Sequence, residues 1–132
     1  MIEEIRISEI FPVSAKRLFD AWLDSEEHSE FTGSKSNIKP VVGLKFSAGN
    51  GYITGRIISL QPYGRIVQSW RTTDFPKSSP DSRLEILFEK VNNGTRITLI
   101  HTRLPKGQAS DYEKGWKKNY FKPMKKYFKK SK

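Results

Sequence analysis

Cysteine is absent from this chain of 132 residues, and histidine and methionine occur only twice each. Without thiols there is no disulfide, no thiolate metal site and no cysteine nucleophile, and the redox compartment is left open. His28 and His101 fall on different predicted elements, whereas zinc sites take three or four ligands, so no metal or redox cofactor is implied. Long apolar runs are missing too. No window approaches the ~20 apolar residues of a membrane span. The first residues, Met1-Ile2-Glu3-Glu4-Ile5-Arg6, are acidic where a secretion signal is basic, so a cytoplasmic protein is expected. The length suits a single domain, 1–132, which at this size buries about two-thirds of its unfolded surface.

What is abundant is positive charge, and it is concentrated at one end. The formal net charge is +10; residues 109 to 132 hold nine lysines against Asp111 and Glu113. Lys114, Lys118, Lys122, Lys125 and Lys129 define one face of a last helix predicted from about Ser110 to residue 132, opposite a stripe of Tyr112, Trp116, Tyr120, Met124 and Tyr127. Such a face serves as a solvated surface, as a site for an acidic protein partner, or as a nucleic-acid or anionic-membrane site. Only Phe121 and Phe128 approach the exposed edge as stacking rings, which argues against nucleic acid. Pro123 is expected to bend the helix, because it removes the bond to the carbonyl of Asn119.

The rest of the pattern reads as strand, two helices, then a run of strands. Residues 3 to 11 form the first strand and Pro12 ends it. Ser14 is the expected cap of a helix with Leu18, Phe19, Trp22 and Leu23 on its apolar side, and Ser25 of a second with Glu26 and Glu27 in its first turn. From Asn37 to Leu104, Asn50-Gly51 predicts a two-residue hairpin, and Pro62-Tyr63-Gly64 and Asn92-Asn93-Gly94 mark further turns. Leu84, Ile86 and Phe88 alternate with polar residues, as do Ile97, Leu99 and His101, so each strand has one apolar face. The polar segment Thr73 to Asp81 is the expected mobile loop.

Enzyme signatures are sparse. The glycine run from Gly49 to Gly55 leads into a strand, not the helix a phosphate loop requires, and Asn93-Gly94-Thr95 is a hairpin turn, not a glycosylated sequon. His28 reads as exposed among Glu26, Glu27 and Glu30, and His101 as a buried hydrogen-bonding group facing the helix. No serine, acid and histidine trio is recognisable by spacing, so no catalytic residue is assigned.

An ordered set of short signatures spans nearly the whole chain: Trp22-Leu23-Asp24, Phe31-Thr32-Gly33, Asn50-Gly51-Tyr52-Ile53, Ile66-Val67-Gln68-Ser69-Trp70-Arg71, His101-Thr102 and Gly115-Trp116. Together they resemble the domain shared with the activator of the heat-shock protein 90 ATPase, in the START-like, birch-allergen-like helix-grip superfamily. The resemblance implies an α+β fold in which a curved antiparallel sheet of about six or seven strands wraps a long C-terminal helix, with two short helices after the first strand. It also implies a ligand space between helix and sheet. Trp22, Phe31, Phe46, Trp70, His101, Trp116, Tyr120 and Met124 are the candidate contacts for a small hydrophobic or amphipathic ligand. Arg71 follows Trp70 on one strand and faces the other side, so it is left out. The leading expectation is a non-catalytic binding module. A co-chaperone or stress-response domain meeting an acidic partner or chaperone is the alternative, although activators of this family carry an additional N-terminal domain for which this chain has no room. A cyclase- or hydrolase-like enzyme using His101 stands third.

Overall fold

The computed structural model describes residues 3–129. The chain runs β1 (Glu3–Phe11), α1 (Ala15–Trp22), α2 (Ser25–Thr32), β2 (Lys45–Ala48), a 3-10 turn (Gly49–Gly51), β3 (Ile53–Gln61), β4 (Arg65–Thr72), β5 (Ser82–Val91) and β6 (Gly94–Leu104). It closes with α3 (Ala109–Gly115), a π segment (Trp116–Phe121) and α4 (Lys122–Lys129). The expectation that this helix runs to residue 132 extends into residues outside the described range. All pairings are antiparallel, in the order β1-β6-β5-β4-β3-β2. This is the helix-grip arrangement: an α+β domain of six strands, two short helices after the first, and a final helix across the sheet.

Local chemistry accounts for most of these boundaries. Ser14 caps α1, its side chain accepting from the Arg17 N–H. Asp24, not Ser25, caps α2: its carboxylate accepts from the N–H groups of Glu26 and Glu27. The Ser25 hydroxyl instead donates to the carbonyl of Ile38. Gly33 ends α2 at φ 76. Helix α3 has no side-chain cap from Gln108, and the carboxylate of Glu3 on β1 supplies one by accepting from Gly107 and Ala109 N–H. Those bonds hold the Glu3 carboxyl below its ordinary pKa.

Several expectations change. The Asn50-Gly51 signal marks a longer connection, a 3-10 turn with Asn50 at φ 58, which carries Tyr52 before β3 begins. The proline distortion takes the form of the π segment just before Pro123, where the Lys122 N–H bonds to the carbonyl of Lys117, five residues back. The extra residue per turn rotates the buried stripe. Phe121 and Phe128, expected at the edge, are buried against Phe11, with ring centroids 6.0 Å and 6.3 Å away. The 73–81 loop is tied down, as Arg71 donates to the carbonyls of Pro76 and Ser79 and pairs with Asp81 at 2.9 Å, while Phe75 is buried under Trp70.

One glycine fixes the approach of two central strands. A Cβ on Gly55 of β3 would lie 1.9 Å from the carbonyl oxygen of Ser69 on β4 and 2.7 Å from the ring of Phe46. Its absence lets the Phe46 ring lie over the strand. We expect Gly55→Ala to destabilise the domain by ~3 kcal/mol or to prevent folding, measured by urea denaturation. A loss below about 0.5 kcal/mol would show that the strands can separate freely there.

Candidate functional site

The interior is organised by polar contacts as much as by apolar ones. Strand β4 turns Gln68, Trp70 and Thr72 inward, and β6 turns Ile97, Leu99 and His101 the same way. Facing them are Trp22 from α1, His28 and Phe31 from α2, and Tyr112, Trp116 and Tyr120 from the final helix.

His28 is buried at 3% exposure, contrary to the expectation from its acidic neighbours. Residues 28 and 31 share the inner face of α2, and Phe31 draws the histidine in with it. The His28 Nδ1 lies 2.8 Å from the carbonyl of Trp22, which can only accept, so Nδ1 carries the proton. Nε2 then accepts from the Tyr120 hydroxyl at 2.8 Å. The Trp22 indole in turn donates to Gln68 Oε1 at 2.9 Å. His101, at 0% exposure, has the opposite tautomer. The Trp116 indole N–H, which can only donate, reaches His101 Nδ1 at 3.1 Å, and Nε2–H donates to Ser82 Oγ at 2.8 Å. The Ser82 hydroxyl in turn donates to the carbonyl of Trp70 at 2.6 Å.

Burial pushes the His28 pKa down to about 4, against a smaller upward effect from the Trp22 carbonyl, and the His101 pKa down to about 3. Burial raises the Tyr120 hydroxyl well above its ordinary value, so it remains a donor. Both imidazoles are neutral at pH 7, and all four ring nitrogens are occupied by the protein itself.

Beside this cluster a cleft of ≈ 260 Å³ opens between the final helix, the end of α2 and the 3-10 turn. Trp70, Trp116, Tyr112 and Tyr120 form its inner wall, Tyr52 and Ile53 one side, and Thr32, Ser34, Gly115 and Asn119 the mouth. Its polar end is internally satisfied. The Tyr52 hydroxyl donates to Asp74 at 2.6 Å, and Tyr112 donates to Gln108 at 2.6 Å while meeting Thr72 at 2.7 Å. Burial and Asp74 push the Tyr52 pKa up to about 12.

Of the predicted contacts, Trp70, Trp116 and Tyr120 line the cleft. Trp22 packs behind Tyr120 at 5.2 Å between centroids, and Phe31 behind it at 6.2 Å. His101 lies within the core beside Trp116 and Trp70, Phe46 sits over Gly55, and Met124 is buried further along the helix. Tyr112 was visible as part of the helical stripe. Tyr52 and Ile53 stood in the Asn50–Ile53 signature but were not among the candidate contacts, and Asn119 carried no signal, because the turn and the helix mouth bring them in. Among the described residues no group of three or more His, Cys, Asp or Glu is placed to hold a metal, and no helix is long and apolar enough to cross a membrane.

The neutral histidines predict an acid dependence. Unfolded histidine has a pKa near 6.5 and the folded values lie lower, so below pH ~6.5 the unfolded chain binds more protons and stability falls as pH falls. We expect a loss of up to ~1.4 kcal/mol per pH unit from each histidine between pH ~6 and 4, read from urea unfolding across that range. A flat profile would mean that the rings titrate normally in the folded protein.

The family model described as "Activator of Hsp90 ATPase homolog 1-like protein" matches residues 12–129. The chain is 28% identical over 116 residues to "Activator of 90 kDa heat shock protein ATPase homolog" of Dictyostelium discoideum, covering 87% of this chain and 30% of that protein. It is 22% identical over 121 residues to "Activator of 90 kDa heat shock protein ATPase homolog 2" of Mus musculus, covering 92% and 36%. It therefore spans about a third of the length of these curated relatives. Among solved structures, an HSP90 activator from Plasmodium falciparum superimposes with a TM-score of 0.82 at 26% identity, over 89% of this chain and 90% of the other.

Proposed function

Because the chain belongs to the activator of Hsp90 ATPase homolog 1-like family, we propose that it works as a non-catalytic binding domain that docks on a chaperone of the Hsp90 class. The docking reading rests on one surface feature, the lysine face of the final helix. Lys114, Lys118, Lys122, Lys126 and Lys129 are exposed and have no carboxylate within ion-pair distance among the described residues. Two others are engaged: Lys117 lies 3.3 Å from Glu113 and Lys125 3.6 Å from Glu9. A face of this sign speeds encounter with an acidic partner, and its effect weakens as salt shortens the ~10 Å screening length at 0.1 M. The occupied ring nitrogens of His28 and His101 support the non-catalytic part of the reading, since a general acid or base needs a proton site that the substrate can reach.

The test is calorimetric titration of purified Hsp90 with the wild type and with Lys118→Glu/Lys122→Glu. We expect about a tenfold weaker complex for the variant, a steep salt dependence for the wild type, and unchanged melting of the free domain. Equal affinity for both proteins would remove the lysine face from the docking site.

A second activity is supported by the cleft. Gly115 is helical at φ −62, where glycine costs about 1 kcal/mol relative to alanine. A Cβ there would meet only Asn119 Nδ2 at 3.8 Å, so packing does not demand the glycine, and its missing side chain keeps the mouth of the cleft clear. The volume sits just under the ~300–1,000 Å³ of sites for drug-sized ligands. We propose a compact apolar ring compound as occupant, stacked between Trp116, Tyr120 and Trp70. A thermal-shift screen of such compounds is expected to find wild-type stabilisation of about 2.7 kcal/mol at a hundredfold excess over Kd, lost in Gly115→Met. Equal response of the two proteins, or none from the wild type, would remove the cleft from the function.

A further inference from the structure

The basic character extends beyond the final helix. Residues 31 to 73 contain no aspartate or glutamate but hold Lys35, Lys39, Lys45, Arg56, Arg65 and Arg71. Arg65 pairs with Glu85 and Arg71 with Asp81, whereas Lys39, Lys45 and Arg56 have no acidic partner among the described residues. These three line one shallow groove at the β2 edge of the sheet, together with Asn37, Gly43 and Leu44.

Beside that groove stands an apolar turn. Val41 is 50% exposed, Val42 57% and Leu44 41%, in a position where polar residues ordinarily face water. The turn is well braced. Leu44 N–H bonds to the carbonyl of Val41, and Gly43 at φ 89 supplies the left-handed residue. Gly43 N–H bonds to the carbonyl of Ile57, Ile57 N–H to that of Leu44, and Arg56 Nη1 donates to the Gly43 carbonyl at 2.9 Å. Ile58, the residue that follows Ile57 on β3, is itself 52% exposed. Two valines, a leucine and an isoleucine are thus held in water on a pre-ordered backbone, so little further ordering is needed when they are buried in a complex. The surrounding charge selects the partner, because three unmatched cations beside an apolar knob complement carboxylates around an apolar recess.

We infer that the Val41–Leu44 turn with Ile58 is a second docking surface, fitted to an acidic protein surface that carries an apolar recess. The inference rests on the chaperone docking proposed above and assigns it a contact separate from the lysine helix. The probe is purified Hsp90, titrated with the wild-type chain, Val42→Asp, Ile58→Asp and the lysine-helix variant, with free-domain melting as the folding control. As an independent readout on the wild type, amide resonances of residues 41 to 45, 56 and 58 are followed by NMR during the titration. The expected result is at least a tenfold rise in Kd for both aspartate variants, with selective broadening of those resonances. Wild-type affinity in both variants, with those resonances unchanged while wild-type chain binds, would overturn this surface and leave the chaperone reading standing. No binding by the wild type would overturn both.

Discussion

The position of the final helix depends on two uncharged imidazoles. His28 accepts from Tyr120 and His101 accepts from Trp116, so the helix is hydrogen-bonded to α2 through one ring and to the sheet through the other. Each tautomer is fixed by a group of single polarity on the opposite nitrogen, the carbonyl of Trp22 for His28 and the Trp116 indole for His101. Protonation of His101 would set two donors against each other at the Trp116 indole, protonation of His28 would force the Tyr120 hydroxyl to turn and accept, and either would carry charge into an interior that excludes water. The aromatic contacts among Trp22, Trp70, Trp116 and Tyr120 add area and shape to an arrangement that these hydrogen bonds orient.

The same constraint bears on function. A histidine whose two nitrogens hold the fold is poorly suited to exchange protons with a substrate, and the cleft lies beyond Trp116, with His101 beneath it. The features open to solvent are a lysine-covered helix, an apolar turn among cations and a small aromatic cleft. The chain belongs to a family named for chaperone activation, and in the docking proposed above charge would govern encounter and apolar surface would govern lifetime.

Much of the fold was legible in the chain because strand periodicity and capping are local. The inward phase of Ile97, Leu99 and His101 followed from alternation, and the Ser14 cap from its place before an apolar stripe. Errors arose where distant contacts outweighed local pattern. The acidic neighbours of His28 suggested water, whereas docking of α2 on the final helix brought Tyr120 to the ring. Phe121 and Phe128 were misplaced because an ideal 3.6-residue period passes over the π segment, which rotates both toward Phe11. The cleft was half legible. Trp70, Trp116 and Tyr120 lie on predictable faces, but Tyr52 arrives by a four-residue connection whose geometry depends on Asn50 at positive φ.

The central claim, that two neutral imidazoles of opposite tautomer fasten the last helix, is most directly tested by long-range proton–nitrogen NMR of the histidine rings between pH 7.5 and 4.5. The structure requires His28 protonated on Nδ1 and His101 on Nε2, with neither ring passing a midpoint near pH 6.5. A normal midpoint for either histidine, or the same tautomer in both, would contradict it.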